Sequence, residues 1–400
     1  MKVLLADKFE AAGIEKLKSL GCDVISEPDL SAETLAEGLV KHDPDVLIVR
    51  STKVQKPALE AAKTLSLIIR AGAGYDTIDI NTASARGIFV ANCPGKNAIA
   101  VAELAFGFVL SCDRRIMDAT RDIRAGKWKK GLYSKAQGLF GRTMGVIGRG
   151  QIAQALIDRA KGFGMEVMVW SRSLSETDAA AMGVRRAASL ADLAKASDVV
   201  SVHVAATAET KNIIDAKFFD AMKKGAIFVN TSRGSVVDYD ALKQAIQEKG
   251  IRAGLDVFPG EPAGSEADFT SEVANLDCVA SAPHIGASTE QAQMAIAMET
   301  VRIIECMLKT GEIPNVVNLC GETSARTILE IRHENKPGVL AHVFNLLSQS
   351  SINVEQMENL IYTGEAAACA RIHCSTGIDD SLAAKIRDKA EIISLVVKNP

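Results

Sequence analysis

The chain has 400 residues, 48% of them hydrophobic, and a formal net charge of -3. That length exceeds what one core organises, so two or three domains are expected. The near-balanced charge gives no electrostatic footprint for nucleic acid or an anionic membrane, and no apolar run approaches the ~18 residues of a membrane span. Eight cysteines, with no CxxC pair and no His at zinc-finger spacing, read as small core residues in a reducing compartment. A soluble, cytoplasmic protein is therefore expected.

From the N-terminus, short apolar runs alternate with amphipathic stretches: Val3–Ala6, then Ile14/Leu17/Leu20 at helical spacing, Val24–Ile25, Leu35/Leu39 and Asp45–Val49, continuing through Leu67–Ile69 to Phe89–Val90. This βαβα rhythm predicts a parallel sheet with helices on both faces. Asn92-Cys-Pro-Gly95 breaks it before a long apolar helix over Ala98–Ser111. Lys127-Trp-Lys-Lys130 is the one local basic cluster, either a solvated loop or a gate for an anionic substrate. A second βαβ series starts at Thr143–Ile147, with strands near Glu166–Trp170, Val199–Val204, Ala226–Asn230, Ala253–Val257 and Cys278–Ala280, and a helix over Glu290–Lys309. The first unit is complete before the second begins, so the late helix is expected to return to the first, with two crossings hinging one cleft. Beyond the polar stretch Gly321–Ser324, the rhythm changes. Strands near Thr327–Arg332, Ile352–Gln356 and Ala367–His373, with a helix over Val339–Ser348, predict a small α+β module.

Gly145-Val-Ile-Gly148-Arg149-Gly150-Gln151-Ile152-Ala153 supplies G-x-G-x-x-A between a strand and a helix. Gly148 permits the tight turn, Gly150 the close approach of a pyrophosphate, and Ala153 the packing of helix on strand, with the diphosphate on the helix N-terminus. Where an acidic residue would bond the adenosine ribose, the chain has Ser171-Arg172-Ser173. Loss of the carboxylate and gain of a cation favour a 2′-phosphate and hence NADP(H). The alternative is NAD(H), with a solvent-facing Arg172 and Glu176 or Asp178 in the acidic role.

Three polar residues in Gly- or Pro-framed segments follow: Arg233 in Asn230-Thr-Ser-Arg-Gly234, Glu261 in Asp256-Val-Phe-Pro-Gly-Glu-Pro262, and His284 in Ala282-Pro-His-Ile-Gly286. A guanidinium holds a carboxylate by two parallel bonds. An imidazole exchanges a proton with a hydroxyl near neutral pH, and a neighbouring carboxylate orients it.

With these segments the chain resembles the D-isomer-specific 2-hydroxyacid dehydrogenases over residues 1–317. The resemblance implies that Arg233 binds the substrate carboxylate, His284 is the acid/base and Glu261 supports it, with no metal required. It also places Thr231 and Asp256 near the cofactor; His203 reads as a strand-end residue near the cofactor or as a second base, and Asp256 as either a nicotinamide-end contact or a strand-end cap. Ala205 stands where the family often has Pro, which leaves that loop open. Within the family the chain is most similar to the D-3-phosphoglycerate dehydrogenase branch, through Val49–Val54, Arg70–Asp79 and Asn97–Glu103. Arg50, Ser51, Arg70, Gly72, Ala73, Gly74 and Asn97 would then line the substrate cleft. Arg50, Arg70 and Lys129 or Lys130 would add cations for a phosphate, and Gly72 and Gly74 would present N–H groups to the carboxylate; otherwise Arg50 and Arg70 are strand-end charges facing water.

Residues 325–400 are similar to ACT regulatory domains, most clearly in Ile331–Leu340 and Ile352-Asn-Val354. His333, Asn335 and Asn353 match effector positions, which implies inhibition by L-serine at a pocket between paired modules; the other reading is a module that only assembles the oligomer. The expected fold is thus α/β: two doubly wound parallel-sheet domains, Rossmann- and flavodoxin-like, over 98–286 and over 1–97 with 287–317, plus an α+β ACT domain over 325–400. The partners expected are a phosphorylated 2-hydroxy or 2-oxo acid and further copies of the chain, as dimer or tetramer. Rival functions are a hydroxypyruvate or glyoxylate reductase and an NAD(H)-sensing corepressor that keeps the fold for partner binding.

Overall fold

The computed structural model describes residues 1–262, 266–321 and 325–399; Glu322–Ser324, the predicted polar junction, lie outside that range. The chain divides into two compact units, Met1–Asn318 and Leu319–Pro400.

The first unit holds two parallel sheets. One has strands β1 (Lys2–Leu5), β2 (Asp23–Ser26), β3 (Val46–Val49), β4 (Leu67–Arg70) and β5 (Phe89–Asn92) in the order β2-β1-β3-β4-β5. Both of its faces are covered, which is why its strands are unbroken apolar runs. Val3, Leu5, Val46 and Ile48 enter one core, and Leu4, Leu47, Val49 and Ile68 the other. The helix Glu290–Thr310 lays Ile296, Ile303 and Ile304 into the first of these cores, and Val316 bridges to Ala91 beside β5.

The second sheet has β6 (Thr143–Ile147), β7 (Glu166–Trp170), β8 (Arg185–Arg186), β9 (Val199–Val202), β10 (Ile227–Asn230), β11 (Arg252–Leu255) and β12 (Val279–Ser281), ordered β12-β11-β10-β9-β6-β7-β8. The chain runs outward from β6 to β8, then restarts on the other side of β6 with β9. That reversal opens a crevice at the carboxyl ends of β6 and β9, where ligands of doubly wound sheets bind. Phe219 and Phe228, both fully buried and edge-to-face at 5.1 Å, anchor one side of this sheet. Each contributes about 1.5–3 kcal/mol of burial.

The second unit is one antiparallel sheet of β13 (Thr327–Glu334), β14 (Val354–Ile361), β15 (Ala367–Cys374) and β16 (Ile392–Lys398), ordered β14-β15-β13-β16. The helices Val339–Gln349 and Asp380–Arg387 supply Val343, Leu347, Leu382 and Ile386 to its single core, against Leu329, Ile331, Ala370 and Ile372.

Several elements escape the sequence pattern. The two-residue β8 is an exposed edge with no apolar signal, and the sequence reading stops short of the helix Asp380–Arg387 and of β16. The helix Ile116–Arg124 is inverted: Asp118 and Asp122 are its buried residues, while Ile116, Met117 and Ile123 are exposed. Its acids are matched by Arg115, Arg121 and Lys129 at 2.9–3.2 Å, so amphipathicity marks the wrong face. Of the cysteines, five are buried, Cys278 and Cys306 are half-buried, and Cys320 is exposed; all eight are free thiols. Among the described residues no helix is long and apolar enough to cross a membrane.

Candidate active site

Parallel register sets the strand ends level. Asn230 pairs with Leu255 and Leu255 with Ser281, so the segments bearing Arg233, Asp256 and His284 leave three neighbouring strands at one edge. The buried Asn230 side chain shapes the first of them: its oxygen accepts from the Ser232 amide and hydroxyl at 3.0 and 2.8 Å, and its amide donates to the Arg233 carbonyl at 3.0 Å.

His284 and Glu261 meet as expected, Nδ1 to Oε2 at 2.7 Å. The other oxygen of Glu261 accepts the Phe258 amide at 2.8 Å. Burial pushes the Glu261 carboxyl up, but the bonds from His284 and Phe258 outweigh it and hold the group below its ordinary range. His284 has φ +53°, a left-handed conformation that a non-glycine residue holds only when its surroundings over-determine it. Asp256 does that. Its carbonyl accepts the His284 amide at 2.8 Å, and its carboxylate accepts the amides of Ile285 and Gly286, each at 2.8 Å. Asp256 is buried, which raises its pKa despite those bonds. Its carboxylate thus braces the turn that carries His284.

The arginines converge opposite. Arg70 ends β4 and Arg50 follows β3; burial first, then the charges of Arg233 and Arg50, lower the Arg70 guanidinium to about 10. Arg50 reaches Ser288 Oγ at 3.4 Å, just beyond the His284 turn. Two acids that the sequence reading did not single out organise this side. Asp7 accepts the amides of Arg50, Ser51 and Thr52 at 2.7–3.2 Å and the Ser51 hydroxyl at 2.6 Å. Asp76 pairs with Arg233 through two bonds of 3.0 and 3.1 Å. Gly72 and Gly74 act differently from the expectation: the Gly72 amide donates to the Arg70 carbonyl at 2.8 Å and is not free for a carboxylate, while a Cβ on the two residues would lie 1.6 Å from Arg70 Nη1 and 2.0 Å from Arg233 Nη2, so they clear space for guanidinium groups. Ala73 lies between them, its carbonyl accepting from Asn92 Nδ2 at 2.6 Å. Lys129 and Lys130 are not brought to this cluster within the chain. Lys129 pairs with Asp122 at 2.9 Å, on a helix whose Arg121 reaches Asp277 before the amino end of β12, the edge opposite the site.

Gly148 follows β6 with φ +110°, and a Cβ there would meet the His203 carbonyl at 2.2 Å, so only glycine fits. Gly150 opens the helix Gln151–Gly162 with nothing near its Cβ position, leaving the first amides of that helix approachable. Gln151 lies over Gly95, and Ile152 is half-buried. His203 bonds Ser201 Oγ at 2.8 Å, and burial depresses its pKa to about 4, which favours the neutral ring. Its Nδ1 and the Oγ1 of Thr231, just past the next strand, are buried with no partner among the described residues, as are Arg70 Nε and Asn97 Oδ1. Stranded polar atoms are costly unless a ligand meets them. Their place around this crevice fits a nicotinamide dinucleotide and a polar substrate.

A family profile for the NAD-binding domain of D-isomer-specific 2-hydroxyacid dehydrogenases matches residues 106–286. Hydroxypyruvate reductase of Thermotoga maritima is 43% identical over 262 residues, 65% of this chain and 83% of that protein. The chain belongs to the D-isomer-specific 2-hydroxyacid dehydrogenases. Within the family, D-3-phosphoglycerate dehydrogenase of Methanocaldococcus jannaschii is 39% identical over 321 residues, 80% of this chain, but the chain spans only 60% of that relative's length. A solved NAD+-bound 3-phosphoglycerate dehydrogenase of Entamoeba histolytica has TM-score 0.67 and 26% identity, covering 80% of this chain and 99% of that one. A second profile, the AHAS small subunit-like ACT domain, matches residues 329–386.

In that module the three predicted effector residues do not meet within one chain. His333 is 2% exposed, its ring nitrogens 2.7 Å from the Glu334 carbonyl and 3.2 Å from Asn359 Oδ1. Asn335 donates to the Glu365 carbonyl at 2.9 Å. Asn353 lies beside Ser375, next to the Thr327↔Cys374 end of the sheet, whereas Glu334 pairs with Ala367 at the other end. Eight-residue strands separate them by roughly 24 Å.

Proposed function

We propose that this family member is a D-3-phosphoglycerate dehydrogenase, exchanging hydride between a nicotinamide cofactor and C2 of 3-phosphoglycerate or 3-phosphohydroxypyruvate. The supporting observation is the gathering of Arg50, at Ser288, Arg70, above Gly72, and Arg233, above Gly74, beside a His–Glu pair. One carboxylate needs one guanidinium; the other two suit a phosphate. Glu261 occupies Nδ1 of His284, so Nε2 is the nitrogen left to take the C2 hydroxyl proton in oxidation and return it in reduction. Arg233 fixes the carboxylate and Asp256 holds the imidazole turn, so orientation and fixed charge do most of the work. The dinucleotide, when bound, supplies the hydride acceptor or donor. Residues 1–97 with 287–317 would form the substrate-binding domain, 98–286 the cofactor domain and 325–400 the ACT domain. A hydroxypyruvate or glyoxylate reductase is the second reading, favoured by the Thermotoga relative's name and by the engagement of Lys129 with Asp122. Initial rates with 3-phosphoglycerate, phosphohydroxypyruvate, hydroxypyruvate and glyoxylate, each with both cofactors, decide between them. A kcat/KM for the phosphorylated acid about tenfold or more above its unphosphorylated analogue is expected; parity supports the second reading.

The cofactor preference leans to NADP(H). Both candidate ribose acids are engaged, Glu176 by Arg186 at 3.1 Å and Asp178 by Arg149 at 3.0 Å, while exposed Arg172 makes no ion pair among the described residues. L-Serine would bind between two ACT modules, since His333 and Asn335 of one chain and Asn353 of another can share a pocket that one chain cannot form. The inverted helix Ile116–Arg124 and Trp128, 80% exposed, supply an outward apolar surface suited to a second copy. The assembly is thus a homodimer or homotetramer, which light scattering tests, acting in the cytoplasm.

A further inference from the structure

A guanidinium carries five N–H donors arranged along its edges. In Arg233 the side edge, Nε and Nη2, meets both oxygens of Asp76 at 3.1 and 3.0 Å, and Nη1 donates to the Ser232 carbonyl at 2.8 Å. Three donors are spent. With the carbonyl of the adjacent residue Ser232 on the Nη1 hydrogen of the Cδ side, the two donors that remain, one on Nη1 and one on Nη2, form the end edge, the parallel pair that grips a carboxylate. Gly74 makes this arrangement possible, because a Cβ there would lie 2.0 Å from Arg233 Nη2 and 3.0 Å from Asp76 Oδ1.

We propose that Asp76 is the positioning residue of the substrate clamp: holding the side edge of Arg233, it aims the end edge at the carboxylate of the 2-hydroxy acid. The inference rests on the reading of Arg233 given under Proposed function. Asp76 also brings negative charge among Arg50, Arg70 and Arg233, which otherwise repel one another. A rival role for the same carboxylate is competition, in which Asp76 fills the clamp and substrate must expel it. Competition requires the edge that substrate uses, and Asp76 stands on the other one. A charge-assisted bond pair that orients a second pair is worth roughly 10- to 100-fold in substrate affinity.

The test uses the full-length protein and its Asp76→Asn and Asp76→Glu variants. KM and kcat are measured for the preferred 2-oxo acid, and the dissociation constants of NADPH and NADH by fluorescence. Positioning predicts that Asp76→Asn raises KM about 10- to 100-fold, lowers kcat less, and leaves affinity for the preferred reduced cofactor unaltered, with Asp76→Glu recovering part of the loss. A KM that falls or stays constant in Asp76→Asn overturns the proposal, the fall pointing to competition. A loss of cofactor affinity equal to the rise in KM also overturns it, since general disruption accounts for that pattern. If the wild type turns over none of the acids, the functional reading fails instead. Titration of wild type and Asp76→Asn with oxalate in the presence of the tighter-binding reduced cofactor then decides the positioning role: tenfold weaker oxalate binding by the variant supports it, and equal binding overturns it.

Discussion

The two units handle the same problem, bringing sequence-distant polar residues together, with opposite geometries. In the first, every strand of both sheets runs in the same sense as its neighbours, so segments that follow β3, β4, β6, β9, β10, β11 and β12 emerge at carboxyl edges. Motifs separated by hundreds of residues therefore converge. In the second unit the sheet is antiparallel and successive strands deliver their flanking residues to opposite ends, which is where His333 and Asn353 lie. A parallel sheet can assemble a site within one chain; a small antiparallel sheet with one open face does so most readily between two copies. The edge strand β14 is exposed along nearly its whole length.

The hardest test of the first half is His284→Ala. If convergence at the strand ends creates the acid/base, kcat should fall on the order of 10²-fold or more, while the dissociation constant of the preferred reduced cofactor holds. A variant within a few-fold of wild type in kcat would remove His284 from the chemistry and leave the convergence without a catalytic consequence.

The convergence also depends on how the chain crosses between sheets. Glu299, on the returning helix, accepts from Arg302 at 2.6 Å and Asn315 at 2.8 Å, and pairs with Lys96 at 3.3 Å, tying both crossings together. Chiefly the Arg302 bonds, aided by Asn315 and Lys96, drop its pKa from an ordinary 4.5 to about 2. A depressed carboxyl stabilises the fold above its unfolded pKa and loses that contribution as pH falls toward the folded value. Glu299→Gln should therefore cost on the order of 2 kcal/mol at pH 7, and its melting-temperature deficit should shrink as pH drops below 4.5 toward about 2. A deficit that stays constant across that range would show that packing, not charge, ties the crossings.

How much of this was legible in the sequence depends on the range of the signal. Gly148, Glu261 and His284 stand in short segments bounded by Gly or Pro just after apolar runs, and a local pattern suffices to find them. Asp76 and its partner Arg233 are 157 positions apart, and no local pattern links an acid in a glycine-rich loop to an arginine on another sheet. Asp7 is hidden in the same way at the end of β1, and the filling of the space above Gly72 and Gly74 by arginine side chains is a tertiary fact. The helix Ile116–Arg124 was missed for a different reason: its apolar residues face outward, contrary to the pattern that locates a helix by its buried stripe.

Cofactor choice is a smaller effect carried by one strand end. Ser171→Asp with Arg172→Ala restores a carboxylate after β7 and removes the cation beside it, and should shift the ratio of kcat/KM values toward NAD(H) by about tenfold. An unchanged ratio would mean that Arg172 faces water and that Ser171 and Ser173 do not set the preference.

The smallest expected effect bears on the second half of the comparison. Suppose serine binds only where Asn335 of one copy meets Asn353 of another. Then a concentration ten times its Kd stabilises the module by about 1.4 kcal/mol, a melting shift of a few degrees. Calorimetry with millimolar L-serine should show that shift in the wild type and lose it in Asn335→Ala and in Asn353→Ala separately. Mixing the two variants should restore part of it, because an interface pairing them can present the intact Asn335 of one chain to the intact Asn353 of the other. Two residues sharing a pocket within a single chain cannot be complemented in this way, so recovery on mixing separates the antiparallel geometry described here from a site built in one copy. No serine shift in the wild type would leave the module with assembly as its role.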